Sequence, residues 1–314
     1  EGDATTSYTH ISDKYTRALE ERAVPIEVDP GDVVVTDDYV YSGTLRTLRR
    51  FQADVRGVPC DQEGMLPNGL ESTIQAAVAE NKRPKLVYTI PTFQNPQGWE
   101  TPMERRQAIV GLSQRYDVPI LEDDCYVDLR YDGDDVTSIR SLDGSGRVMY
   151  VGSFSKIIAP GMRLGYLTAP PQVMDVVRPI KSGGGVNQFA ALAVEEYLKH
   201  HMYEHIDEQN QALRVKRDAM LAALGENFGD AATWSRPEGG LYVWLELPEG
   251  SDLAAVQEQS FNEGVGYYNG SMFSPEGRGA NCARLCFGYP SAQTVYDGVA
   301  ELARILERHG VLGR

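Results

Sequence analysis

Predicted strands alternate with predicted helices from residue 33 to residue 168, and this alternation constrains the fold more than any other feature of the 314-residue chain. The run Val118-Pro-Ile-Leu121 is apolar on both faces, which is typical of a strand in a parallel, helix-covered sheet. The alternation therefore predicts an α/β fold with a mostly parallel sheet. The apolar runs predict strands at Val33–Thr36, Lys85–Ile90, Val118–Leu121 and Val148–Val151, and a strand near Asp54–Val58 continues the alternation. Helices are expected between them over 43–52, 71–81 and 101–116.

The pattern changes after residue 188. Two helices are expected there, Phe189–Leu198 and Tyr203–Leu224, and the longer one would bridge to a smaller domain. Short strands and helices then mix, which predicts a small α+β domain. We therefore expect an N-terminal segment over residues 1–28 with a helix over 8–22, a large domain over 29–200, and the bridging helix with a small C-terminal domain over 201–314.

Composition and charge narrow the classes of function. Hydrophobic residues make up 42% of the chain and charged residues 24%, as in a globular protein. The net charge of −15 disfavours binding to nucleic acid or to an anionic membrane. No apolar run approaches the ~20 residues of a membrane span, and the first residues do not resemble a signal peptide. The cysteines and histidines lack metal-ligand spacing, so no metal site is expected, and free thiols favour a cytoplasmic protein.

A single lysine, Lys156, stands among small and apolar residues within Val151–Tyr166. Few charged neighbours and partial burial make an amine easier to deprotonate, and a Schiff base with a carbonyl requires a neutral amine. Two hydroxyls, Ser153 and Ser155, and the guanidinium of Arg163 are near enough in sequence to hold a phosphate. The alternative is a solvated lysine in a loop rich in serine and glycine.

Residues 153–165, Ser-Phe-Ser-Lys-Ile-Ile-Ala-Pro-Gly-Met-Arg-Leu-Gly, resemble the S-x-S-K-x-x-x-P-G-x-R-x-G segment of fold-type I pyridoxal phosphate enzymes. From about Asp29 to the C-terminus, the chain resembles the aminotransferases of the 2-aminoadipate and kynurenine subgroup. The resemblance implies the fold-type I transferase fold, bound pyridoxal 5′-phosphate and a homodimer. It also implies that Lys156 forms the internal aldimine and moves a proton between the substrate α-carbon and cofactor C4′. Ser153, Ser155 and Arg163 would bind the cofactor phosphate.

The loop Pro91-Thr-Phe-Gln-Asn-Pro-Gln-Gly98 closes a predicted strand, and α/β sheets hold ligands at the carboxyl ends of their strands. Taken alone, Asn95 is a turn asparagine before a proline. The string P-x-x-Q-N-P-x-G also resembles the corresponding family segment. That resemblance implies that Asn95 hydrogen-bonds the 3-oxygen of the cofactor and contributes to substrate binding.

Three consecutive acids, Glu122-Asp-Asp124, leave the next strand, where buried carboxylates without a partner are unfavourable. A protonated pyridine nitrogen is a suitable partner. The resemblance assigns this role to Asp123 and implies that Tyr126 hydrogen-bonds the 3-oxygen of the cofactor. A metal site is the rival interpretation. Because successive residues of a strand point to opposite faces, Glu122 and Asp124 are expected away from the site of Asp123.

The resemblance assigns two further residues. Tyr41 would stack on the pyridine ring, although the chain contains 17 tyrosines and an ordinary half-buried tyrosine is the alternative. Arg284 lies on an apolar predicted strand, where an unpaired guanidinium is unfavourable. The resemblance implies that Arg284 binds the α-carboxylate of the substrate, and a buried salt bridge is the alternative.

The start of the chain departs from the family. Relatives place a glycine–serine loop, which holds the cofactor phosphate at a helix N-terminus, before the turn at Asp29-Pro-Gly-Asp32. Lys14-Tyr-Thr16 stands at that position and matches poorly, and Pro25 fits badly inside the helix that should precede the turn. Either the chain has lost this loop or sequence is missing at a junction near Val24–Glu27, and we expect the second. We therefore assign neither this part of the phosphate site nor the tyrosine that the partner subunit contributes in relatives.

Taken together, these features favour an aminotransferase that moves an amino group between an L-amino acid and a 2-oxo acid, by family frequency 2-oxoglutarate. A pyridoxal-phosphate-dependent oxidase, cyclase or lyase is the first alternative, because the same electron sink serves these reactions. A non-catalytic regulator domain that resembles an aminotransferase is the second, and the acidic charge disfavours it. The sequence does not name the amino acid.

Overall fold

The computed structural model describes residues 28–181 and 185–313. The helix expected over 8–22, the tripeptide Lys14–Thr16 and the suspected junction near Val24–Glu27 lie outside the described residues. The described chain opens on a turn in which the amide of Asp29 donates to Asp32 Oδ2 at 2.9 Å. This turn leads directly into the first strand.

A six-stranded sheet forms the centre of the larger part of the fold. Its strands are β1 Val33–Asp37, β2 Asp54–Val58, β5 Leu86–Thr89, β6 Ile120–Asp123, β7 Val148–Ser153 and β8 Gly165–Thr168. They lie in the order β2-β1-β5-β6-β7-β8, and all pairs are parallel except β7 with β8. The prediction of an α/β fold with a mostly parallel sheet is confirmed. The strand β8, whose residues are largely exposed, has no counterpart among the predicted strands.

Helices lie on this sheet and in the C-terminal part of the fold. Those of the described residues are α1 Ser42–Arg50, α2 Pro67–Ala79, α3 Met103–Tyr116, α4 Ile139–Leu142, α5 Pro171–Ile180, α6 Gln188–Asn227, α7 Leu253–Asn262 and α8 Ala292–Arg308. Ile74 of α2 and Ile109 of α3 are buried in one cluster with Val33, Val35 and Ile120 of the sheet. Burying each such side chain stabilises the fold by roughly 1.5–3 kcal/mol, so the apolar faces of β1 and β6 hold these helices in place.

A second, antiparallel sheet lies in the C-terminal part. Its strands are β9 Thr233–Trp234, β10 Tyr242–Glu246, β11 Tyr268–Asn269 and β12 Cys282–Cys286, in the order β11-β12-β10-β9. Trp244 pairs with Arg284 in this register, so both side chains lie on the same face. Val243, Leu285 and Val299 are buried on the opposite face in the main core. Separately, β3 Cys60–Asp61 and β4 Gly64–Met65 form a short hairpin.

The helix α6 is continuous over forty residues, from Gln188 to Asn227. The prediction of two helices, broken between Leu198 and Tyr203, is therefore wrong. The intervening residues, Lys-His-His-Met, include neither glycine nor proline, so nothing interrupts the helical hydrogen bonds. The proposed domain boundary at residue 200 falls inside this helix and stays a prediction.

In the part of the chain that the structure describes, no helix combines the length and the apolar character needed to cross a membrane.

Candidate active site

The candidate residues follow the carboxyl ends of adjacent parallel strands. Asp123 is the last residue of β6, and its partner in the register is Val151 of β7. Lys156 comes three residues after β7 ends, and Asn95 comes six residues after β5 ends. Carboxyl ends of parallel strands meet at one edge of a sheet, which is where such sheets hold ligands.

Asp123 is held by a neighbouring strand. The hydroxyl of Tyr88, on β5, donates to Asp123 Oδ2 at 2.6 Å. Burial, and then the charge of Asp123, raise the pKa of Tyr88 well above its usual value, so the hydroxyl stays a donor to the carboxylate. Tyr88 was not among the predicted site residues, although its strand is adjacent to that of Asp123.

The three consecutive acids separate as expected for a strand. Glu122 accepts hydrogen bonds from the amides of Ile139 (2.8 Å) and Arg140 (2.7 Å), away from Tyr88. Burial raises the pKa of Glu122 to about 7, and burial also raises the pKa of Asp124. Asp123 is therefore the only one of the three acids that bonds to Tyr88 in the described residues.

Three predicted residues form one hydrogen-bonded chain. Asn95 Nδ2 donates to the hydroxyl of Tyr126 at 3.1 Å, and Asn95 Oδ1 accepts from Arg284 Nη1 at 2.9 Å. Asn95 and Tyr126 are buried. Burial raises the pKa of Tyr126 well above its usual value, so its hydroxyl stays protonated. The chain joins a loop of the large sheet to β12 of the small sheet.

Arg284 lies in a box of aromatic rings. Its guanidinium carbon is 4.3 Å from the ring centroid of Tyr242, 4.9 Å from that of Phe273 and 5.1 Å from that of Tyr268. Within residues 28–181 and 185–313 it forms no salt bridge, and its Nε has no hydrogen-bond partner. The alternative of a buried salt bridge is thus not realised there. The guanidinium of Arg284 uses only one of its donors on Asn95, so it is suited to bind an incoming carboxylate.

Lys156 is half-buried, and its Nζ lies 5.9 Å from the ring centroid of Tyr126. Its own carbonyl accepts from Gln209 Nε2 at 2.6 Å, and the carbonyl of Ile157 accepts from His205 Nε2 at 2.6 Å. Both donors lie on α6, so the long helix fastens the backbone of the lysine loop. Neither Gln209 nor His205 carried a recognisable signal in the sequence.

A cavity of about 750 Å³ opens beside this loop, and Ser153, Ser155 and Arg163 line it. The amide of Ser155 donates to Ser153 Oγ at 3.1 Å. Two further cationic side chains, Arg178 of α5 and Lys181, also line the cavity. The sequence reasoning missed them because neither Arg178 nor Lys181, which follows the end of α5, belongs to a family motif. Hydroxyls together with three cationic side chains are suited to a phosphate.

Tyr41 is placed differently from the other candidates. It precedes α1, is 42% exposed, and its ring covers Gly43 so closely that an added Cβ there would lie 2.5 Å from it. Among the described residues, no hydrogen bond or ring contact joins Tyr41 to the other candidate residues. Its stacking role stays a prediction.

These residues fit pyridoxal 5′-phosphate in their chemistry. Asp123 offers a carboxylate for the pyridine nitrogen, Asn95 and Tyr126 offer donors for the 3-oxygen, and Lys156 offers an amine that is not ion-paired with described residues. The cationic cavity suits the phosphate group. Arg284 forms no salt bridge with the described residues, so its guanidinium is available to a substrate carboxylate.

Comparison with known proteins agrees with this chemistry. Residues 16–297 match the family model of aminotransferase class I and II. The chain belongs to this family. It is 36% identical over 283 residues to aromatic-amino-acid aminotransferase 1 of Thermococcus litoralis, covering 89% of this chain and 68% of that protein. It is 30% identical over 285 residues to 2-aminoadipate transaminase of Thermus thermophilus, covering 89% of this chain and 70% of that protein.

Solved aminotransferase structures share the fold. Kynurenine aminotransferase of Pyrococcus horikoshii superimposes with a TM-score of 0.86 at 33% identity, covering 93% of this chain and 73% of that one. Class I and II aminotransferases are fold-type I enzymes that use pyridoxal 5′-phosphate. The predictions of the fold type, of an aminotransferase enzyme and of its cofactor are thereby confirmed.

Proposed function

We propose that this aminotransferase transfers an amino group from an L-amino acid to a 2-oxo acid, with 2-oxoglutarate as the acceptor, and that Lys156 is the lysine to which the cofactor is attached. The observation that carries the proposal is Arg284. Its guanidinium is hydrogen-bonded to Asn95, which also donates to Tyr126, and it has no carboxylate partner in the described chain. Amino acids and 2-oxo acids share the α-carboxylate that such a guanidinium binds.

Each residue has a distinct task in this proposal. Arg284 and Asn95 bind and orient the substrate carboxylate. Asp123, which accepts a hydrogen bond from Tyr88, would keep the pyridine nitrogen of the bound cofactor protonated. When bound, pyridoxal 5′-phosphate supplies the electron sink that stabilises negative charge at the α-carbon. Lys156 Nζ, which forms no ion pair with the described residues, would take the proton from the substrate α-carbon as a general base and deliver it to C4′ of the cofactor as a general acid.

We also propose a homodimer. Several large apolar side chains are exposed on α6 and just before it, which is unusual for the surface of a monomer. They are Ile180 (70% exposed), Phe189 (87%), Leu192 (60%) and Tyr203 (81%). Phe189, Leu192 and Tyr203 recur at helical spacing and so share one side of α6. A second copy of the chain would cover this face.

The deciding experiment is the visible absorption spectrum of the protein with added pyridoxal 5′-phosphate, beside Lys156→Ala and the control Lys199→Ala, whose lysine is exposed on α6. We expect a pH-sensitive band that borohydride abolishes in the wild type and in the control, and no such band in Lys156→Ala. An L-amino acid should then convert the cofactor to its amine form without oxygen, and 2-oxoglutarate should restore the band.

Other outcomes are equally informative. A normal band in Lys156→Ala would contradict the assignment of this lysine. Conversion by an amino acid that no 2-oxo acid reverses would favour an oxidase, cyclase or lyase that uses the same cofactor. The absorption band reports cofactor binding, whereas its conversion by an amino acid reports transamination. A failure of cofactor binding is therefore distinguishable from a failure of the reaction.

A further inference from the structure

One arginine, Arg106 of α3, is fully buried, with 0% of its surface exposed. It contacts the Asn95 loop, the segment 91–101 that lies between β5 and α3. A buried guanidinium is unfavourable unless its donors are satisfied. Its one ion-pair partner among the described residues is Glu100, at 3.3 Å, and Glu100 is also paired with Arg130. The other hydrogen-bond partners of Arg106 are backbone carbonyls and one hydroxyl.

The guanidinium of Arg106 bonds to both ends of the Asn95 loop. At the first end, Nη2 donates to the carbonyl of Pro91 at 3.2 Å and to Thr92 Oγ1 at 3.0 Å. At the other end, Nε donates to the carbonyl of Thr101 at 2.8 Å. The amide of Thr101 also donates to the carbonyl of Pro91 at 2.7 Å, so the two ends are adjacent. The planar guanidinium therefore fixes the relative orientation of the ends as well as their distance.

Arg106 also joins the Asn95 loop to a neighbouring strand. Its Nη1 donates to the carbonyl of Thr137 at 3.3 Å. Glu122, the neighbour of Asp123 on β6, accepts hydrogen bonds from the backbone amides two and three residues further on. Arg106 thus connects the loop that presents Asn95 to the segment bonded beside the strand that presents Asp123.

Asn95 lies at the turn of this loop. The amide of Gln94 donates to the carbonyl of Trp99 at 2.9 Å, which closes the turn. Asn95 is buried, and its side chain is shared between Tyr126 and Arg284. A shift of the loop ends would therefore move Asn95 relative to two partners on other elements. A misplacement of about 1 Å in a positioning group can lower a rate roughly 100-fold.

We propose that Arg106 is a positioning residue for transamination and that it holds Asn95 in place against Tyr126 and Arg284 through the two ends of the Asn95 loop. The inference rests on the proposed function, in which Asn95 bonds the 3-oxygen of the cofactor and Arg284 binds the substrate carboxylate. Because Arg106 is fully buried, it touches neither cofactor nor substrate and acts only through the loop.

The test compares Arg106→Gln with Arg105→Gln, two adjacent arginines of one helix. Arg105 pairs with Asp61 at 2.6 Å and bonds to the hairpin of β3 and β4 instead of the Asn95 loop. Replacing Arg106 leaves Glu100 paired with Arg130, so this carboxylate keeps a partner. Two quantities are measured on the full-length protein loaded with pyridoxal 5′-phosphate: the pH midpoint of the visible cofactor band, and KM for an L-amino acid.

We expect Arg106→Gln to raise the pH midpoint by about half a pH unit, because a displaced Asn95 no longer stabilises negative charge on the 3-oxygen. KM should rise about five- to tenfold, because Asn95 also holds Arg284. Arg105→Gln should leave both quantities unchanged, whatever its effect on the melting temperature. Asn95→Ala is the reference and should raise both.

The double variant of Arg106→Gln and Asn95→Ala should change no further than Asn95→Ala alone, because the two residues act through one side chain. If Arg106→Gln does not fold, Arg106→Lys replaces it. A lysine keeps the charge but can bond only one end of the loop, so we expect smaller shifts in the same direction. Amide hydrogen exchange should be faster in residues 91–101 and unchanged in the hairpin of β3 and β4.

A lower melting temperature with an unchanged midpoint and KM would make Arg106 a purely structural residue and overturn the inference. Effects of Arg106→Gln and Asn95→Ala that add in the double variant would overturn it as well. If Asn95→Ala itself alters neither quantity, the role of Asn95 in the proposed function fails, and the inference fails with it. If Asn95→Ala alters both and Arg106→Gln alters neither, only the inference fails.

Discussion

Arg284 and Asn95 stand 189 residues apart in the chain and share one hydrogen bond at 2.9 Å. The guanidinium is planar and offers several donors, so it can bind Asn95 and a carboxylate at once. A lysine side chain has the same charge but lacks this planar set of donors. Exchanging one for the other therefore tests geometry rather than charge.

We expect Arg284→Lys to lower kcat/KM about 100-fold for the amino acid and the 2-oxo acid alike, which corresponds to about 2.7 kcal/mol of lost transition-state binding. The visible spectrum of the bound cofactor should not change. Steady-state kinetics with both substrates provide the measurement. Arg236→Lys, at an exposed position, is the control. A variant whose KM values match the wild type would show that Arg284 does not bind the carboxylate.

At the scale of elements, α6 connects to the lysine loop through two side chains. Gln209 donates to the carbonyl of Lys156 and His205 to that of Ile157. A hydrogen bond of this kind stabilises the native arrangement by roughly 0.5–1.5 kcal/mol. The position of Lys156 thus depends on a helix that contributes no side chain to the chemistry.

We expect Gln209→Ala to reduce kcat three- to tenfold with little change in KM, and to speed amide hydrogen exchange in the lysine loop. Glu208→Ala, at the neighbouring exposed position, should alter neither quantity. Exchange monitored by mass spectrometry alongside kinetics separates positioning from general destabilisation. Unchanged exchange in the loop, together with an unchanged kcat, would contradict the anchoring role.

The elements also show where sequence reasoning reaches its limit. The strands β1, β5, β6 and β7 were predictable because they contain short apolar runs, and β2, Asp-Val-Arg-Gly-Val, was predictable from its place in the alternation of strands and helices. The exposed β8 was not, because its position depends on pairing with β7 rather than on its own hydrophobicity. The break expected inside α6 is absent because the polar residues Lys199, His200 and His201 stay helical, which a helix stabilised by packing elsewhere tolerates.

For the whole molecule, the exposed apolar face of α6 is the feature to test. We expect the protein to sediment as a dimer and Phe189→Asp to shift it toward monomer, because an introduced carboxylate would have to be buried at the interface. Tyr289→Asp, at a position 97% exposed in the C-terminal part, is the matched control and should leave the dimer intact. Analytical ultracentrifugation over a concentration series provides the measurement.

A monomer in the wild type, or a dimer that Phe189→Asp does not weaken, would contradict the proposed interface.

At this scale the sequence predicts local parts of the site and misses the contacts between them. Ser153, Ser155, Lys156 and Arg163 stand within one continuous segment, so a single stretch of sequence indicates them. The bond from Asn95 to Arg284 and the bond from Gln209 to the lysine loop cross the chain, and they depend on how the two sheets and α6 pack together. Single-sequence patterns carry no information about such packing.

The unbroken α6 has a mechanical consequence. At ~1.5 Å per residue its forty residues span about 60 Å. Near its middle, Gln209 hydrogen-bonds the loop of Lys156. About two turns further on, Arg217 and Lys216 donate to the carbonyls of Pro237 and Gly288, which lie beside the small sheet. A continuous helix that is hydrogen-bonded at both places fixes the distance between them. The spacing between the loop of Lys156 and the sheet that carries Arg284 is therefore bridged by about two turns of one unbroken helix.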